Sequence, residues 1–132
     1  MLALADIRDY ISSLAIADQV YIGKLNNKKE HSIGIYHRKG EGPPPLPLGG
    51  LDYSSYDTKR VSLLVHWNKD VLESEKSARA LYDALLKETS LTIGEEEIRF
   101  LVLQVPEPVD VGTDDNGIYE YVIWLDFIFQ RK

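Results

Sequence analysis

Apolar and polar positions alternate most regularly between Ile118 and Gln130, in the run Ile-Tyr-Glu-Tyr-Val-Ile-Trp-Leu-Asp-Phe-Ile-Phe-Gln. A period of two belongs to a strand, whose successive side chains point to opposite faces. One face of this strand is wholly apolar or aromatic: Tyr119, Tyr121, Ile123, Leu125, Phe127 and Phe129. It must be covered. The other face sets Glu120 and Asp126 among Ile118, Val122, Trp124 and Ile128. That mixture suits solvent, a helix or another subunit. Asn116-Gly117 opens the strand through a tight turn, because these residues tolerate the positive φ such turns need.

Elsewhere the period is helical. Leu4, Ile7, Ile11 and Leu14 recur at three- and four-residue spacing and predict an amphipathic helix over 2–16. Asp70 reads as an N-cap, with Glu73 completing a capping box. The helix that follows, about 71–88, has Ala78, Leu81, Tyr82, Leu85 and Leu86 as its buried stripe. Its outer face offers Glu75 to Arg79 and Asp83 to Lys87 at i,i+4.

The remaining strands are shorter. Gln19–Leu25 and Ser32–Arg38, separated by a polar turn, predict a hairpin. Arg60–Asn68 places Val61, Leu63, Val65 and Trp67 on one face. Ile93-Gly94 reads as a break. Ile98–Val105 is so continuously apolar that it predicts a strand buried on both faces, ended by Pro106 and Pro108. The order of elements predicts an α+β fold: a mixed, mostly antiparallel sheet of about five strands with two helices packed on one face.

Composition narrows the function classes. At 132 residues the chain predicts a single domain, 1–132, able to bury a core without staples. It has no cysteine, which excludes disulfides and thiolate metal sites. No apolar run reaches the roughly 18 residues of a membrane span. The opening Met-Leu-Ala-Leu-Ala-Asp lacks the basic region of a signal peptide. Net charge is −6, from 15 basic and 21 acidic residues, which argues against general duplex DNA binding.

Candidate chemistry is sparse. His31, His37 and His66 have no partner at ligand spacing. Asp114-Asp115-Asn116-Gly117 fails as a calcium loop, because Gly112 and Ile123 would stand where carboxylates are needed. Gly40-Glu41-Gly42 precedes no helix signal and is no phosphate loop. Glu120 and Asp126 are roughly 20 Å apart by strand rise, too far for a catalytic pair. The expectation is no enzyme, no cofactor and no metal. What remains is a Gly/Pro-rich loop at about 39–59, too long to be structureless without a reason. There Pro44, Pro45, Leu46 and Pro47 stiffen a segment suited to contact with a partner. Tyr53 and Tyr56 either join that contact or fold back on the sheet. Asp114 and Asp115 mark a second candidate contact at the turn before the last strand.

Several stretches together resemble the small phage proteins described as minor capsid proteins or tail terminators of long non-contractile-tailed phages. They are Ile33-Gly-Ile-Tyr36, Val61–Asn68, Ala78-Arg-Ala-Leu-Tyr82 and, best, Asp110-Val-Gly-Thr-Asp-Asp-Asn-Gly-Ile-Tyr-Glu-Tyr121. The resemblance implies a virion protein made in the host cytoplasm. It implies a homo-oligomeric ring, a hexamer, seated on the last disc of the tail tube. Such a ring would stop polymerisation of the tail tube protein and present a surface to a head-completion protein. It fixes no individual functional residue. The acidic balance fits a channel wall that lets DNA slide, with no sequence-specific nucleic acid contact and no membrane. The alternative is a cellular protein- or peptide-binding module working through the proline loop or an open sheet edge.

Overall fold

The computed structural model describes residues 2–23, 29–38, 56–88 and 91–130. In chain order the elements are α1 (Leu4–Ser13), β1 (Gln19–Ile22), β2 (Ser32–His37), β3 (Tyr56–His66) and α2 (Val71–Leu86). They continue with β4 (Leu91–Ile93), β5 (Glu96–Leu103), β6 (Val109–Thr113) and β7 (Tyr119–Gln130).

The helices form where the periodicity places them, and each N-terminus finds an acceptor. Asp6 of α1 reaches back to the Ala3 amide at 3.2 Å. Asp70 accepts from the Leu72 and Glu73 amides at 3.0 and 3.2 Å. The second half of the expected capping box is rerouted. Glu73 takes the Asn68 side-chain amide at 2.7 Å, and Asn68 Oδ1 takes the Asp70 amide at 3.0 Å. Asn68 thus supplies the link that Glu73 would have made directly. On the outer face of α2, Arg79 meets Asp83 at 3.1 Å, not Glu75 as its spacing suggested. Leu86 is 61% exposed, so the buried stripe of α2 ends at Leu85.

β7 organises the sheet. Along one edge it pairs antiparallel with all of β3, from Tyr56↔Gln130 to His66↔Glu120. Its other edge is shared: β6 pairs Tyr119–Val122 and β5 pairs Leu125–Phe129. The order across the sheet is β1-β2-β3-β7-β5-β4, with β6 beside β7. Ile7 and Ile11 of α1, Leu81 and Leu85 of α2, and Val61, Leu63, Ile123, Leu125 and Phe127 of the sheet form one buried cluster. The predicted inner face of β7 is therefore its core face, with Tyr119 half-buried at its start.

Three expectations need correction. Among the described residues the sheet has seven strands, not about five, and these residues are mostly β (47% strand), with the sheet curled into a half-barrel. The break expected at Ile93-Gly94 is a turn between two strands. With φ +60 Gly94 serves the short turn joining β4 to β5, and a Cβ there would lie 2.9 Å from the Asp6 carboxyl carbon. Pro106 and Pro108 end β5, but the chain then resumes its pairing with β7 as β6. Between Leu103↔Leu125 and Val109↔Val122 it carries a bulging excess that takes up both prolines.

Second, β1 and β2 are not a hairpin. They run parallel, Gln19↔Ser32 to Ile22↔Ile35. His31, at φ +54, lies at the corner where the pairing begins, donating to the Trp67 carbonyl at 2.9 Å and accepting from the Asp18 amide at 2.8 Å. Third, β5 is buried on one face only: Ile98 is covered, while Phe100 and Val102 are exposed.

Candidate assembly surfaces

The side of the sheet away from the core carries an unusual set of residues. Trp124 of β7 is 46% exposed, and Phe100 of β5 is 57% exposed. The register puts Phe100 opposite Ile128, Val102 opposite Asp126 and Ser62 opposite Trp124, all on this outer face. Trp124, Phe100 and Val102 thus expose apolar surface on one face of the sheet. Tyr56, 48% exposed, pairs with Gln130 and belongs to the same face.

At its centre lies a polar cluster. Arg38 forms an ion pair with Asp126, and the two side chains are only 17% and 13% exposed. Gln104 donates to the other Asp126 oxygen at 3.0 Å. The Arg38 guanidinium lies 5.8 Å from the Trp124 ring centroid, within cation–π range. Arg38 Nη1 is buried without a hydrogen-bond partner. The cluster fixes a charge and its counter-charge in the middle of an apolar field, and it fixes the Trp124 ring beside them.

A second cluster lies at the other end of β7. Asp114 Oδ1 accepts from the Asn116 and Ile118 amides, both at 2.9 Å, so this carboxylate builds the turn. Its Oδ2 is buried without a hydrogen-bond partner and lies 3.8 Å from His66 Nδ1. The same nitrogen meets Glu120 Oε2 at 3.0 Å. His66 is 1% exposed, and its cross-strand partner in the register is Glu120. An alternating strand alone could not reveal this group, because it depends on which residue of β7 stands opposite His66. Asp115, unlike Asp114, is exposed. Among the described residues no group of three or more His, Cys, Asp or Glu side chains could hold a metal ion.

The structure therefore places Tyr56 and the Asp114–Asp115 turn at opposite ends of β7, roughly 35 Å apart by strand rise. Pro44, Pro45, Leu46, Pro47 and Tyr53 lie outside the described residues. The outer-face patch escaped sequence reasoning because the apolar run of β5 suggested burial on both sides.

Residues 1–131 match the family model described as bacteriophage tail terminator protein. The chain belongs to that family. A member of the tail terminator family is a structural component of a phage virion that contacts other tail parts, which sets aside the cellular binding module. Among solved structures the chain is similar to that titled "Structure of bacteriophage SPP1 gp17 protein", with 13% identity and a TM-score of 0.42. That match covers 98% of this chain and 85% of the other. No curated protein matches it.

Proposed function

We propose that this tail-terminator chain assembles into a closed ring of six that caps the tail tube. There it stops polymerisation of the tail tube protein and joins the tail to a head-completion protein. It works by binding, without catalysis, after synthesis in the host cytoplasm. The family match across residues 1–131 carries the proposal. A tube of identical discs has no internal stop, because every added disc exposes the same growing face. A ring with two unlike faces supplies the stop and the adaptor at once.

The protomer's shape supports this reading. Its candidate contact groups, Tyr56 and Asp115, lie at the two ends of one long strand, as unlike faces require. Its outer sheet face offers apolar surface that neighbouring copies can cover. With Asp114 occupied in holding its turn, Asp115 is the carboxylate left for contact. The net charge of −6 suits a channel through which DNA slides.

Light scattering on purified protein, or on rings released from tails, should give about six times the 15.0 kDa of one chain. Electron microscopy of lysates lacking the protein should show overlong or unattached tails beside filled heads. Tails of normal length joined to full heads would rule the function out. Asp115→Lys should leave the fold intact and reproduce part of that defect.

A further inference from the structure

A groove of about 520 Å³ runs between the first half of α2 and the β5–β6 bulge, on the helix side of the sheet. Glu75 and Arg79 form one wall, Glu107 and Asp110 the other, and Tyr121 lines it from β7. We infer that this groove binds an extended basic segment of another tail protein, its arginine or lysine side chain seated among Glu75, Glu107 and Asp110.

Three observations carry this. The first is charge. Three carboxylates line the groove against one guanidinium, and Arg79 is already held by Asp83 at 3.1 Å and lies over the Tyr82 ring. The groove keeps a surplus of acidic charge. The second is the Tyr121 hydroxyl. The residue is 6% exposed and lines the groove, yet no described residue hydrogen-bonds its oxygen. Asp110 stands opposite Tyr121 in the register, and burial first, then the Asp110 and Glu75 carboxylates, hold its phenol above the ordinary value of 10.0. A neutral phenol beside two carboxylates is a ready acceptor for a cationic donor. The third is the strand edge. β6 pairs with β7 on one side only, and all five of its residues are exposed. An extended segment can add to that edge through its backbone and drop alternate side chains into the groove.

The occupant is a different protein and not a second copy, on grounds of charge. With 21 acidic against 15 basic residues, a second copy is a poorer source of the basic segment this groove needs. The contact is also distinct from the apolar outer face, which lies on the other side of the sheet.

The test uses the full chain and a five-residue peptide alternating valine with arginine, with a valine–glutamine peptide as control. Amide shifts are followed by NMR. The arginine peptide should shift Glu75, Arg79 and Val109–Gly112 saturably, and added salt should weaken it. Glu75→Gln combined with Asp110→Asn should weaken it about five- to tenfold, as loss of two partly exposed charge contacts predicts. Asparagine at 110 retains the oxygen that accepts from the Gly112 amide at 2.8 Å, so the bulge survives. Tyr121→Phe should weaken it a few-fold. Equal binding of the glutamine peptide, shifts confined to other residues, or no saturation at millimolar peptide would overturn the inference. So would the same amides shifting with protein concentration alone, which would make the occupant a second copy. The titration reads the protomer directly, so a negative result leaves the ring standing, and failure of the ring leaves the groove standing.

Discussion

Replacing Asp126 with alanine should destabilise the protomer by about 2–3 kcal/mol. Removing one partner of a fully buried ion pair costs about 3–5 kcal/mol, because the other charge is left buried and uncompensated. Here Arg38 is 17% and Asp126 13% exposed, so some relief by solvent is available and the lower figure follows. The Gln104 amide, now at 3.0 Å from Asp126, would also lose its acceptor. Arg38 already leaves Nη1 without a partner, so it has no second acceptor in place to replace the carboxylate. Urea melts followed by tryptophan fluorescence would measure the change, since Trp67 is buried and reports unfolding. They should be run at a concentration where light scattering shows single chains. The midpoint should fall with the slope unchanged. Arg38→Ala in the same chain should restore part of the loss, because removing both charges ends the desolvation penalty. A loss below about 0.5 kcal/mol, or strictly additive single and double mutants, would refute the reasoning: the pair would then be a surface contact of little energetic weight.

Leu85→Ala removes three fully buried carbons from α2, about 2.4 kcal/mol by transfer alone, and the cavity should bring the cost within about 2–5 kcal/mol in the same melts. Gly94→Ala should cost about 1–2 kcal/mol for the left-handed backbone, and more if Asp6 cannot retreat from the new Cβ; an unchanged midpoint would show that the turn relaxes freely. The Tyr10 phenol is held far above 10.0 by burial and then by the Glu88 charge, so the fold prefers it protonated. Its contribution is therefore whole below pH 10 and is lost as the pH climbs further; Tyr10→Phe should flatten the alkaline fall in stability, and an identical fall in the variant would contradict this.

What the sequence made legible was whatever depends on neighbours along the chain. The core face of β7, the stripe of α2 from Ala78 to Leu85, and the Asp70 cap follow from local period and local hydrogen bonding. What it hid depends on neighbours in space. β4 and β6 are short strands beside residues that ordinarily interrupt strands, and only pairing with β5 and β7 makes them strands. The parallel β1–β2 pair has the same local signature as a hairpin. Leu86 continues an apolar run yet points past the sheet. The candidate contacts divide in the same way. Asp114 and Asp115 are adjacent and chemically alike, but a turn needs the first and leaves the second free. His66, Glu120, Arg38 and Asp126 become partners only once the register of β3 against β7 is set.

That register also dictates the order in which the molecule can be made. β7 follows in the chain every strand it joins, and its contacts with β3 link segments centred about 60 residues apart. Until β7 arrives, β3 and β5 stand with raw edges and an uncovered apolar face, open to pairing with whatever strand comes first. A chain shortened before Tyr119 would not be a smaller half-barrel. It would be two unjoined pieces of sheet, and its main hazard would be aggregation with its own copies rather than slow folding.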